Sequence, residues 1–180
     1  FFESGEEALK YVLNEIGKDC VGIGGSMTIQ ELGWFNALQN RGKTIWHWQG
    51  KYDGILNDEN AAPCYITSAN AISSDGAIVN IDANGNRIAA TAFGAKKVFI
   101  VCGENKIEHD IPSALFRAKN IAAPLNAKRL NRKTQVPQLP IPRKNMPSDV
   151  HNDIPHSEFG HAHNFRKRLL GILDKKFIKK

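Results

Sequence analysis

At 180 residues with 42% hydrophobic content, the chain can bury one sizeable core and is too short for two. Its three cysteines, Cys20, Cys64 and Cys102, are widely separated and odd in number, a pattern that argues against a disulfide framework or a CxxC metal site and reads as buried, reduced thiols. The net charge of +6 divides unevenly: residues 1–127 hold 11 Lys/Arg against 14 Asp/Glu, and residues 128–180 hold 13 against 4, so the isoelectric point of 9.3 describes the C-terminal part rather than the body.

Residues 6–16 place Ala8, Leu9, Val12, Leu13 and Ile16 at helical spacing, with Ser4 as N-cap and Gly17 as stop. Residues 20–23 form a short buried strand that runs into Gly24-Gly25-Ser26-Met27-Thr28, and a helix is predicted over residues 29–38. A strand feeding a glycine-rich turn that opens a helix leaves free backbone N–H groups at the helix's positive end, which suits a phosphate or carboxylate. The same residues also make a tight turn in which Ser26 or Thr28 is only a cap. Residues 44–48 read as a strand, whose alternation points His47 away from Trp46 and Trp48 toward solvent or a polar edge. Residues 49–63 are polar and turn-rich, a candidate rim.

The organising stretch is residues 65–106. It begins as a strand, enters a polar loop at Ser68-Ala69-Asn70, and returns through Asp75-Gly76 into a second strand over residues 77–81. The corner Asn84-Gly85-Asn86-Arg87 then opens a small-residue helix ending at Gly94, followed by an apolar strand over residues 98–102. Residues 112–119 read as a helix, and residues 121–130 hold another that begins near Pro124. This alternation predicts an α/β domain with a mostly parallel sheet flanked by helices, in which ligands collect at the carboxyl ends of the strands.

Three segments should meet there: residues 24–28, residues 68–71 with Asp75, and residues 103–106. Lys106 and Arg87 are the cationic candidates, and Asn70, Asn105 and Ser26 would orient a polar ligand. Each has a plainer reading: Lys106 as a solvated lysine past a strand end, Arg87 as the ion-pair partner of Asp82 or Asp75. Cys102, at a strand end, reads as a structural thiol, because no histidine is poised to activate it as a nucleophile.

Three blocks in order, GIGGSMTIQELG, SANAISSDGAIVNIDANGNRIAATAFGAKKVFIVCGENKI and AAPLNAKRL, resemble the LUD domain, the family of the bacterial lactate-utilization protein C, over residues 6–133. The resemblance implies a Rossmann-like fold of the sugar-phosphate isomerase and CoA-transferase type and a cytoplasmic setting. It also implies a role in oxidising L-lactate to pyruvate beside partner subunits that carry the iron–sulfur clusters, with no cofactor assigned to this chain. Its motifs mark Gly25, Ser26, Thr28 and Asn70 as ligand-binding candidates, to which the converging strand ends add Gly24 and Ser68. Asn86, Arg87, Asn105 and Lys106 join them, with Asn126 and Arg129 farther out, and Asp75, Lys106 and Arg87 are the candidates for any catalysis. SANAISSDGAIVN also resembles a pattern of methylthioribose-phosphate isomerases in which an aspartate moves the proton. Asn70 stands at that position, and an amide is no general base, so such chemistry would fall to Asp75 or Glu104. A stand-alone enzyme acting on a sugar phosphate or an acyl-CoA-type substrate is the second expectation.

After Lys133 the chain departs from the family, whose threonine-proline-cysteine run and cysteine cluster are absent. A divergent subgroup or a frame-shifted coding end would each account for this, and no metal or redox role based on that cluster is open to this chain. Residues 134–163 are rich in proline and histidine and read as an extended segment. Their histidines fit no ordered ligand spacing, so no metal is expected. Residues 164–180 space Phe165, Leu169, Ile172, Leu173 and Phe177 at helical intervals among basic residues. Such a helix would pack on its own domain or on a symmetry mate in a homo-oligomer, or would bind a membrane surface or, without sequence preference, nucleic acid. No run approaches the roughly 18 apolar residues of a membrane span, and no signal-peptide pattern is present. The chain opens at Phe1 rather than methionine, so an address could lie upstream.

Overall fold

Ser4 starts the first helix as its spacing predicts: its hydroxyl accepts from the Glu7 N–H, and α1 runs Gly5–Ile16 with Ala8, Val12 and Ile16 buried. The computed structural model describes residues 1–131 and, as backbone, the strand Leu169–Leu173. After α1 come β1 (Val21–Ile23), α2 (Met27–Glu31), α3 (Trp34–Arg41), β2 (Thr44–Ile45), α4 (Ile55–Asn60) and β3 (Cys64–Thr67). Then follow β4 (Ala71–Ser73), β5 (Ile78–Val79), α5 (Asn86–Ala92), β6 (Lys97–Gly103), a 3₁₀ turn at Glu104–Lys106, and β7 (Ile107–Glu108). A single rod closes the body: α6 (Ile111–Arg117), a π turn at Ala118–Ala122, and α7 (Ala123–Arg129).

The main sheet has the order β2-β1-β3-β6-β8, where β8 is Leu169–Leu173. Its first four strands are parallel, and β8 lies antiparallel on the β6 edge. The chain is therefore α/β with a mostly parallel sheet flanked by helices. A second small sheet, β5-β4-β7, stands on the loops that follow β3 and β6. Side-chain alternation divides the core. Cys64, Ile66, Phe99 and Val101 face α1 and α3, whereas Tyr65, Val98, Ile100 and Cys102 face Ala69, Ala90 and Ala95 on the opposite side.

Several expectations are corrected. The single helix over residues 29–38 is two helices, because Gly33 adopts φ +67° and breaks the first; an αL residue cannot continue a right-handed helix. The strand predicted over residues 44–48 ends at Ile45, and the chain turns at Trp46, whose carbonyl accepts from the Gln49 and Gly50 N–H groups, with Trp46 and Trp48 stacked at a centroid distance of 5.4 Å. Residues 49–63 are not a plain loop: they contain α4, which turns Glu59 fully inward. Within the helix expected over residues 164–180, Leu169–Leu173 is instead a strand. Its sequence, LLGIL, is a short continuous apolar run with a glycine at its centre, and the open edge of β6 offers it a hydrogen-bond ladder. The remainder of residues 132–180, including the Pro/His-rich segment, lies outside the described residues.

Gly22 shows how tightly α4 sits on β1. A Cβ at Gly22 would overlap the main-chain carbonyl of Glu59, and backbone cannot step aside as a flexible side chain can. Gly22→Ala is expected to cost about 1–3 kcal/mol, seen as a lower urea midpoint at an unchanged m-value. Gly17→Ala is its control: it has nothing within 4 Å of the added Cβ and only its left-handed φ to strain.

Candidate functional site

The carboxyl ends of β1, β3 and β6 deliver three polar segments to one place. Past β6 the chain tightens into the Glu104–Lys106 turn, which brings Lys106 back over the sheet edge. Its Nζ donates to Ser68 Oγ at 2.7 Å and to Thr28 Oγ1 at 3.0 Å, and both hydroxyl-bearing residues are buried. Thr28 in turn donates to Ser68 at 3.4 Å. The segments after β1, β3 and β6 thus meet at one ammonium group.

Among the described residues no carboxylate lies within 4 Å of Lys106. Burial holds its amine below the ordinary lysine value. The Cys102 thiol and Glu31 pull upward against that, while Arg117 and Arg87 add to the lowering. Lys106 borders a cavity of about 270 Å³ shared with Ser26, Glu31, Ser68, Arg87 and Arg117, and with Trp48, Ile121 and Leu125 on its apolar side. The arrangement presents cationic groups and hydroxyls against an apolar wall, a setting for a small organic anion.

Arg87 sits between this cavity and an adjoining one of about 170 Å³. Its guanidinium is 3.5 Å from Asp82, and Nη2 donates to the Ile81 carbonyl at 2.8 Å. Asp82 also accepts the Arg87 and Ile88 N–H groups, so a protein carboxylate already occupies the start of α5. Asp82, not Asp75, is the partner of Arg87. Arg129, in the last turn of α7, lies 4.6 Å from the Trp48 ring centroid and donates twice to Asn126 Oδ1.

The remaining candidates divide. Gly25 packs so close to Trp48 that a Cβ would come within 3.1 Å of its ring. Gly24 is enclosed by Tyr65, Thr67 and Arg87. Ser26 lines the cavity but also caps α2, accepting from Ile29 N–H. Asn70 lines it too, with its side-chain oxygen taken by the Ile81 N–H at 2.8 Å. Asn86 and Asn126 border the smaller cavity. Asp75 is not brought to the site: it is exposed in the β4–β5 turn, where its bond to Ser73 holds its carboxyl below the usual range. Asn105 is exposed and takes part through its main chain, accepting from Arg117.

Arg117 is the residue that sequence reasoning missed. It donates to Asn70 O at 2.8 Å and to Asn105 O at 3.1 Å and lies 3.3 Å from Glu108, so it ties the loops after β3 and β6 together. The available signal was a lone arginine at the end of an otherwise apolar helix segment. Cys102 is fully buried, accepts from Ala69 N–H at 3.3 Å and lies 3.4 Å from Ser68 Oγ. Cys64, also buried, is pushed up to about 11 by desolvation.

Among the described residues no group of histidines, cysteines and acids could hold a metal ion, and no helix is long and apolar enough to cross a membrane. No curated protein and no solved structure matches the chain. The family model of the LUD domain matches residues 1–143, so the match continues past Lys133. It takes in every residue of the cavity described here, and the chain belongs to the LUD domain family, a family associated with lactate-utilisation proteins.

Proposed function

We propose that this chain is a component of bacterial L-lactate utilisation, the oxidation of lactate to pyruvate, and that it works in the cytoplasm with partner subunits carrying iron–sulfur clusters. Its own part is to hold a small carboxylate in the crevice at the carboxyl edge of the sheet. The observation that carries this is Lys106: an ammonium held by two buried hydroxyls, facing a cavity and without a carboxylate at close range among the described residues. A carboxylate placed there would exchange a desolvated, uncompensated cation for a charge-assisted hydrogen bond.

The test has two arms. A thermal-shift panel of L-lactate, pyruvate and inorganic phosphate should give a rise of roughly 5–10 °C for a ligand at about 100 times its dissociation constant. Purification from the native cell should bring iron–sulfur subunits with the chain. No shift with either carboxylate and no co-purifying partner would overturn the reading.

The depressed Lys106 amine favours one second reading, a stand-alone enzyme acting on a sugar phosphate or acyl thioester. A desolvated lysine is a better nucleophile or base than a solvated one. Turnover of such a substrate by the isolated chain, lost in Lys106→Ala, would select that reading over the first.

A further inference from the structure

Glu59 is fully buried, and three donors converge on its carboxylate. Oε2 receives the His47 main-chain N–H at 3.1 Å and His47 Nδ1 at 2.6 Å, and Oε1 receives the Tyr65 hydroxyl at 3.4 Å. With Glu59 ionised, an acceptor at both oxygens, the short contact to Nδ1 is an Nδ1–H donating to a carboxylate. In the neutral ring the other nitrogen, Nε2, is then an unprotonated acceptor. It has no protein partner among the described residues, and the ring borders the smaller cavity.

That cavity is continuous in its lining with the Lys106 cavity: Gly25, Trp48, Arg87, Asn126 and Arg129 border both. Asn86 also borders it, and its Nδ2 is buried without a partner. The charged and titratable groups about the ring are Glu59 from α4, Tyr65 from β3 beyond it, Asp82 and Arg87 at the start of α5, and Arg129 from α7. Glu59 thus lies on the Nδ1 side, while the cavity side carries Arg129 and the Arg87–Asp82 pair.

We propose that His47 is the residue by which this site distinguishes a hydroxy acid from an oxo acid. Glu59 fixes its tautomer, the ligand's carboxylate lies on the Lys106 ammonium at the Arg87 side of the crevice, and the ligand's hydroxyl donates to Nε2. The inference rests on the carboxylate-binding reading of the crevice. The interaction is a hydrogen bond, with no bond to carbon made or broken. A hydroxyl can donate to a neutral Nε2, whereas a ketone oxygen, which only accepts, meets its lone pair. Protonation reverses the preference, because imidazolium Nε2–H donates to the ketone.

The experiment is isothermal titration of the full chain with L-lactate, pyruvate and propionate at about pH 8, where free imidazole is neutral. The expected result is L-lactate binding roughly 10- to 100-fold more tightly than pyruvate and propionate. His47→Asn keeps a donor for Glu59 at the Nδ1 position but removes Nε2. It should erase the preference for L-lactate over pyruvate and propionate.

Where the variant fails to fold, ¹⁵N spectra of the wild-type imidazole decide instead: Nε2 should resonate as an unprotonated nitrogen at pH 8 and shift on addition of L-lactate. An Nε2–H tautomer at that pH, or equal affinity for L-lactate and propionate, overturns the inference and leaves the carboxylate crevice standing. Binding of none of the three acids overturns both.

Discussion

Lys106→Met is expected to lower the affinity of the crevice for a small carboxylate by roughly 10- to 150-fold, the worth of one charge-assisted hydrogen bond at about 1.5–3 kcal/mol. Titration calorimetry with pyruvate or L-lactate reads this directly. The same variant should be no less stable than the wild type at neutral pH. Desolvation lowers the Lys106 amine from its ordinary 10.5, so over the interval below 10.5 the unfolded chain binds more protons than the folded one. The contribution of Lys106 to folding therefore improves as pH rises through that interval and is least favourable below its lowered folded-state value. Methionine removes the burdened charge, and Thr28 and Ser68 still have each other as partners. Plotted against pH, the stability advantage of the variant should shrink toward 10.5, and an advantage that grows would contradict the assignment. Loss of affinity together with retained or increased stability is the pattern expected of a residue kept for binding rather than for folding.

Phe99→Ala should produce the largest loss of stability, about 3–5 kcal/mol. Phe99 is 1% exposed, the third residue of β6, and packs in the cluster that joins α1 and α3 to the sheet. Its strand is paired on both sides, with β3 and β8, so the backbone cannot close over the space that the ring leaves. Chemical denaturation should show a lower midpoint with little change in m-value. A cost under about 1 kcal/mol would mean that the α1 side of the core relaxes freely. Phe93→Ala is the matched control: that ring is 86% exposed and its loss should be within about 0.5 kcal/mol.

The parts of this fold legible in the sequence are those in which local chemistry and tertiary demand agree. Ser4, the apolar spacing of α1 and Gly17 all describe one helix, and the strand ends at Gly24, Ser68 and Gly103 are marked by a change from apolar to small polar residues. The meeting of Thr28, Ser68 and Lys106 followed from the rule that parallel strands present their carboxyl ends together. Other features depend on what lies across the chain. Gly33 breaks a helix that its neighbours would continue, and only the packing of Trp34 on the core explains the break. Glu59 sits in a polar run with nothing to mark it as fully buried, because its partners His47 and Tyr65 lie outside α4, 12 and 6 residues away, and no local pattern ties them to it. Asp75 resembled a site residue through its neighbours, yet the β4–β5 turn carries it away. The LLGIL run satisfies both a helical and a strand pattern, and the β6 edge decides between them.

The π turn ahead of Pro124 sets the aim of α7. Proline has no N–H for the Asn120 carbonyl and its ring crowds that position, so the rod widens by a residue at Ala118–Ala122 instead of continuing as regular helix. Each residue of an α-helix turns the chain by about 100°, so this one extra residue acts as an angular offset between the two halves of the rod. With it, Arg117 in the first half and Arg129 in the second both border the cavity. Deleting a single residue from the turn would swing Arg129 through roughly a quarter of a revolution while leaving Arg117 in place. The bore of the site at its α7 wall is thus indexed by chain length, not only by side-chain identity.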